Sequence, residues 1–325
     1  MQTWESAVTR VEQVLLGRRM GYTGRVRSQG READRVVRAV LNPSCRPDAV
    51  LVPTFWWEKV KNFGDLLTPY LLRDFGIVPV LTPPAEAGLV GGGSLVQHLP
   101  AESSATLWGT GLIYDQHVEL PGVQTLALRG ELTRDRLGTP PVEALGDPGL
   151  LLGDTITRPG VTFDVGLVLH YVHRGDAWFD GLVDEFDGSV LLIDVAQSPA
   201  AVARQVASCR AVVSTSLHGV ITADSVGVPA VWVRMPLELA GADFKFRDHE
   251  SVARPATDRG VLATEVSSMR DLVARVATAD EVAVDRAKTR LRAAARRIPE
   301  VAGAHRVSTW QVPLLGRGRP VHSHV

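Results

Sequence analysis

Residues 211–233 read AVVSTSLHGVITADSVGVPAVWV, and this stretch decides the fold. Residues 211–213 are apolar and strand-like, and the chain turns at Ser214, Thr215 and Ser216. Residues 217–226 fit one helical run that Gly227 stops, and Pro229 releases the chain into a second strand over 230–233. The result is a strand–helix–strand unit with His218 in the first helical turn, at the carboxyl end of a strand. Open α/β sheets bind ligands at that edge, and helix N-termini there attract anions. Ser and Thr before a helix are also ordinary N-caps, worth roughly 1 kcal/mol each. Ser214, Ser216 and His218 therefore count as candidates through their companions elsewhere in the chain.

The 325 residues are long enough for two domains, since single cores rarely grow past about 250–300 residues. Lys and Arg number 35 against 36 Asp and Glu, a formal charge of −1 that argues against a general nucleic-acid binder. The two cysteines, Cys45 and Cys209, have neither metal-ligand nor C-x-x-C spacing, so no disulfide framework or metal site is expected. No apolar run reaches transmembrane length, and the first twenty residues lack a long apolar core, which points to a cytoplasmic protein.

Outward from the opening unit, the N-terminal half repeats one device: short strands that run into polar, glycine-bearing loops. Residues 1–35 read as a partly helical lead-in, and 36–157 as a Rossmann-like domain whose first strand is AVLVP, residues 49–53. The aromatic loop FWWEKVKNFGD follows, and Asn62, Gly64 and Asp65 stand where it meets a helix over 66–75. An Asx turn with a glycine explains those three as well as a ligand does. Next, a short strand enters Gly91, Gly92, Gly93 and Ser94, where glycine lets backbone amides approach a ligand. Val96 occupies the third-glycine position of the dinucleotide fingerprint, and no G-K-[ST] follows, so no nucleotide cofactor is expected. Arg129 and Arg134 flank a further strand end, Asp147 stands in a Gly-Asp-Pro-Gly turn, and Arg158-Pro159-Gly160 marks a linker. A second Rossmann-like domain over 158–300 begins with a buried strand ending at His170, and 301–325 form a tail. In FKFRD, residues 244–248, alternation predicts an extended segment with Lys245 and Arg247 on one face and both phenylalanines on the other.

In order, NFGDLLTPYLL, GGGS, WGTG, LRGELTRDRLG, LGDPGLLL, LHYVHR, STSLHGVITADSVGVPAVWV and DFKFRD resemble the polysaccharide pyruvyl transferases, particularly the exopolysaccharide-type branch. The resemblance covers roughly residues 49–254. It implies an α/β fold of two Rossmann-like domains facing across a cleft, as in GT-B glycosyltransferases. It also implies transfer of an enolpyruvyl-derived group from phosphoenolpyruvate to a sugar or lipid-linked glycan acceptor, leaving a cyclic pyruvate ketal and phosphate without metal or nucleotide cofactor. The family's histidine matching His218 is linked with donor binding and catalysis. Many relatives carry Arg where this chain has Ser216. On this reading His218 is general acid/base, Arg129, Lys245 and Arg247 are anion clamps, and Asn62 and Asp65 position a substrate. Gly64, Gly92, Gly93, Ser94, Arg134, His170, Ser214 and Ser216 complete the candidate binding set. A GT-B glycosyltransferase using a nucleotide sugar and a non-catalytic glycan-binding protein are the alternatives.

Overall fold

The computed structural model describes residues 49–138, 142 and 144–303, with the backbone of 305–306. The lead-in over 1–35 with its helix, Cys45 and most of the C-terminal tail lie outside the described residues.

The first half builds six strands of a seven-stranded sheet, whose seventh comes from the end of the chain. Its elements are β1 (Val50–Phe55), α1 (Leu67–Leu72), β2 (Ile77–Leu81), β3 (Leu89–Val90), β4 (Thr106–Thr110), β5 (Gln124–Leu128), α2 (Glu131–Leu137) and β6 (Ala144–Leu145). Strand β2 pairs with β1 in parallel from Val50 to Thr54 and carries Pro79, which an edge strand tolerates because its unpaired side needs no N–H. On its other side β1 meets β3 at Thr54 and Phe55, and β4, β5 and β6 follow in parallel.

A 3-10 segment, Pro148–Thr155, and an exposed stretch through Arg158 lead to the second half. There β7 (Phe163–Val168), α3 (Ala177–Asp184), β8 (Val190–Leu192), α4 (Pro199–Ala207), β9 (Cys209–Ser214), α5 (Leu217–Ser225) and β10 (Ala230–Arg234) follow in order. After them come α6 (Phe244–Ala253), β11 (Gly260–Leu262), α7 (Met269–Val273), α8 (Glu281–Val301) and β12 (His305–Arg306). The second sheet runs β8-β7-β9-β10-β11, wholly parallel. The fold class is thus α/β with two Rossmann-like sheets, as the sequence predicts. In each half the second strand lies on one side of the first and the later strands on the other. Chain direction therefore reverses between β1 and β3 and between β7 and β9, the places where such sheets bind ligands.

Helix α5 is buried at every position, pressed between its own sheet and the Pro148–Thr155 segment of the first half. That explains a helix with no polar face. One hydrophobic cluster runs through both halves, from Val52 and Leu67 to Val212, Ile221 and Leu291.

Two expectations change. Residues 244–248 are not extended: they open helix α6, whose buried positions Phe244, Asp248 and Val252 recur at helical spacing. The helical period was hidden because one of those buried positions is an aspartate. Helix α8, placed in the second domain by sequence, returns to pack on β4, β5 and β6, and Trp108 Nε1 donates to Leu291 O at 3.1 Å. Strand β12 then pairs antiparallel with β1.

Candidate active site

The two switch points meet at His218. Its imidazole enters a slot in the first half formed by the 62–65 turn after β1 and the glycine loop after β3. A β-carbon on Gly64 would stand 2.1 Å from His218 Nδ1, and one on Gly93 would stand 3.9 Å from Cε1. Phe63 meets the ring edge-on at 6.3 Å, and its backbone N–H donates to Val195 O, after β8, at 2.7 Å. His218 Nε2 faces Asp147 Oδ2 at 3.8 Å and, buried, has no hydrogen-bond partner. Burial holds the imidazole below its ordinary pKa; Arg129, Lys245 and His249 push the same way, while Asp147 opposes them.

The loops around the ring are rigid for stated reasons. Asn62 Oδ1 accepts from Gly64 N at 3.2 Å and its amide donates to Asp65 Oδ2 at 3.2 Å, closing the turn. Burial pushes the Asp65 carboxyl up to about 7 against that hydrogen bond. Gly93 takes φ +95°, a conformation that favours glycine, and so aims its N–H at Asp147 Oδ2, 3.0 Å away. A side chain on Gly92 would strike Asp147 Oδ1. Thr215 Oγ1 accepts from His170 N at 2.9 Å, tying the β7 and β9 loops together. His170 is driven down to about 3 by burial, with help from Lys245, His173 and His218. Lys245 is lowered to about 8 by burial and by Arg129, and its charge bears on both His218 and His170.

Asn62, Gly64, Asp65, Gly92, Gly93, His170, Lys245 and His218 are thus brought together. Ser216 is the N-cap residue of α5, buried and without a capping side-chain bond. Ser214 is fully buried, and its hydroxyl is consumed by the backbone: it accepts from Ser216 N, and its one proton has Val168 O and Ser216 O within reach, each at 2.9 Å. It shapes the turn and presents nothing to a ligand. Arg129, expected as an anion clamp, is wholly buried: Nε donates to Asp248 at 2.8 Å, Nη2 to Leu112 O at 2.6 Å, and Nη1 to Ser94 Oγ. Its guanidinium is already paired with Asp248, and it holds Ser94 in place. Arg134 pairs with its neighbour Asp135 on the surface of α2. Arg247 forks onto Asp258 at 2.7 and 3.0 Å and lies over Trp232 at 5.0 Å. Two residues apart on a helix point in widely different directions: Lys245, whose Nζ donates to Ala240 O at 3.3 Å, bears on His218 and His170 by its charge, whereas Arg247 is turned to Asp258.

The residue that sequence reasoning left as a turn residue is Asp147. Its Gly-Asp-Pro-Gly setting does make it a cap, accepting from Gly149 N at 2.8 Å, but its second oxygen points at His218. His173, three residues after His170, is buried, with Nε2 on Leu237 O at 2.8 Å. Among the described residues, no group of three or more His, Cys, Asp or Glu side chains is placed to hold a metal ion, and no helix is long and apolar enough to cross a membrane.

Comparison with known proteins agrees with this part of the chain. Uncharacterized protein L143 of Acanthamoeba polyphaga mimivirus is 40% identical over 113 residues, 33% of this chain. The chain spans only 39% of that relative's length. The family model that matches is polysaccharide pyruvyl transferase, over the stretch that holds Arg129, Asp147, the 214–218 turn and His218. The family that the motifs resemble is therefore the one found, at residues 120–235: polysaccharide pyruvyl transferase.

Proposed function

We propose that this protein transfers a pyruvyl group from phosphoenolpyruvate to a sugar of an exopolysaccharide or cell-surface glycan precursor, forming a ketal. One coincidence carries the reading: the stretch matched by the family contains the histidine at which the switch points of both halves meet. In the balanced reaction, two sugar oxygens bond to C2 of the donor and the C2–O bond to phosphate breaks. Of the two hydroxyl protons released, one converts the methylene carbon to methyl and the other leaves on phosphate.

His218 suits the proton transfers. Burial keeps it neutral near pH 7, ready to accept a hydroxyl proton, and an arriving dianion favours its protonated form. Lys245, whose charge bears on His218, supplies positive charge to the donor, and the N-terminus of α5 adds its dipole. Asn62 and Asp65 orient a substrate from the first half, and Asp65, carrying a proton up to about pH 7, is able to donate a hydrogen bond. A cytoplasmic setting, with lipid-linked acceptors at the inner face of a membrane, fits this chemistry.

The test is ligand-induced stabilisation. Phosphoenolpyruvate is expected to raise the melting temperature, by about 2.7 kcal/mol of stability at a hundredfold excess over Kd. UDP- and GDP-sugars are expected not to. A shift with a nucleotide sugar and none with phosphoenolpyruvate would move the protein to the glycosyltransferases.

A further inference from the structure

Asp147 sits at the start of the Pro148–Thr155 segment, in the first half, with no exposed surface. Both its oxygens are held: Oδ1 accepts from Gly149 N at 2.8 Å and Oδ2 from Gly93 N at 3.0 Å. The carboxylate is therefore prevented from rotating, and Oδ2 keeps a lone pair directed at His218 of the second half. The facing atom, His218 Nε2, is buried and lacks a partner. A separation of 3.8 Å is about 1 Å too long for a hydrogen bond. Buried polar atoms are nearly always paired, so this orphan and this fixed acceptor are complementary.

We infer that Asp147 is the positioning residue of His218, fixing the imidazole as its Nε2–H tautomer when the two halves close by about 1 Å. The inference rests on the role proposed above for His218. Closing lets Nε2–H donate to Asp147 Oδ2, which leaves the Nδ1 lone pair as the base. Nδ1 is the nitrogen turned toward Gly64, in the turn that carries Asn62 and Asp65. The absence of a side chain at position 64 is what keeps that nitrogen from being displaced. Charged and titratable groups bear on the ring from every neighbouring element. Arg129 at the end of β5 and Lys245 of α6 carry positive charge, His249 of α6 and His170 after β7 bring two further imidazoles, and Asp65 shares the facing turn. Of the groups that act on the His218 charge, Asp147 alone favours the imidazolium. A carboxylate behind a catalytic imidazole sets its tautomer, orients it and stabilises its charged form.

The experiment is nitrogen-15 NMR of the full chain, with the His218 ring signals identified by their loss in His218→Gln. The neutral ring is expected as the Nε2–H tautomer in the unaltered protein with phosphoenolpyruvate added. A dominant Nδ1–H tautomer there would overturn the inference, and this arm needs no variant at Asp147 to fold. In Asp147→Asn, the His218 pKa is expected to fall, because the group that favours the imidazolium is removed. The turnover number is expected to drop about 100-fold or more, with KM for phosphoenolpyruvate changed far less. A folded Asp147→Asn protein with unchanged His218 tautomer and pKa would make Asp147 a turn residue only. Failure of the unaltered protein to turn over phosphoenolpyruvate would instead remove the donor reading, and the His218 pKa in the Asp147→Asn protein would still decide the role of Asp147.

Discussion

Gly64 and His218 are packed so closely that a β-carbon on Gly64 would lie 2.1 Å from Nδ1, 2.6 Å from Cγ and 2.9 Å from Cε1 of the ring. Gly64→Ala must push the imidazole out of its slot. The expected outcome is a loss of about 1–3 kcal/mol in chemical denaturation, with pyruvyl transfer falling far more than that loss explains. Gly181→Ala is the control: it lies inside α3 with nothing within 4 Å, so helix propensity predicts a gain of about 0.5–1 kcal/mol and unchanged turnover.

His218→Asn retains a hydrogen-bonding side chain and removes proton transfer. Turnover is expected to fall about 100-fold or more, while donor affinity, read by titration calorimetry, changes much less. Normal turnover with weakened donor binding would make His218 a binding residue.

Arg129 and Asp248 form an ion pair with neither side chain exposed, and Asp248 also accepts from Thr133 N and Thr133 Oγ1. Removing one partner strands the other charge away from water. Asp248→Ala is expected to cost about 3–5 kcal/mol in urea denaturation. Arg134→Ala, which breaks only a surface pair, is expected to stay within about 0.5 kcal/mol.

Lys245 and Arg247 separate the binding role from the structural one. Lys245→Ala is expected to weaken phosphoenolpyruvate binding by about 1.5–3 kcal/mol, whereas Arg247→Ala, whose fork is occupied by Asp258, leaves it within a factor of about two. Because Lys245 loses its proton at about 8, donor affinity is expected to fall as pH rises through that value. The Lys245→Ala protein is expected to lose that dependence. Equal weakening in both variants would contradict the geometry.

Asp65 makes stability itself pH-dependent. Its folded pKa of about 7 lies above the ordinary 3.8, so between those values the folded chain keeps a proton that the unfolded chain has released. The contribution is whole below about pH 4 and is lost as pH rises through 7. Denaturation of the Asp65→Asn protein is expected to show a flatter profile across that window and greater stability than the unaltered protein at pH 8. Parallel profiles for the two proteins would show that Asp65 is not held protonated.

What local pattern controls was legible without coordinates. The 211–233 stretch sets a strand, a turn, a helix and a strand by hydrophobic period and by Gly227 and Pro229, and the structure places β9, α5 and β10 there. The same signals locate the polar strand ends of both halves, and hence the loops that carry Asn62, Gly93, His170 and His218. Side-chain alternation failed at FKFRD because it takes every buried position to be apolar. In α6 the buried positions include Asp248 and His249, which are stable there through Arg129 and Asp224. Arg129 and Asp248 are 119 residues apart, so no window of sequence contains both.

The sequence by itself therefore determined the two α/β halves, the loops at their carboxyl edges and the histidine on which they centre, because each follows from short-range periodicity and turn chemistry. Only the tertiary structure decided which charges are free. It buried Arg129 against Asp248, forked Arg247 onto Asp258, left the Lys245 charge bearing on His218 and His170, and set Asp147 opposite His218. The physical reason is that the state of a charged side chain depends on the partner and the dielectric around it, and both are supplied by residues distant in the chain.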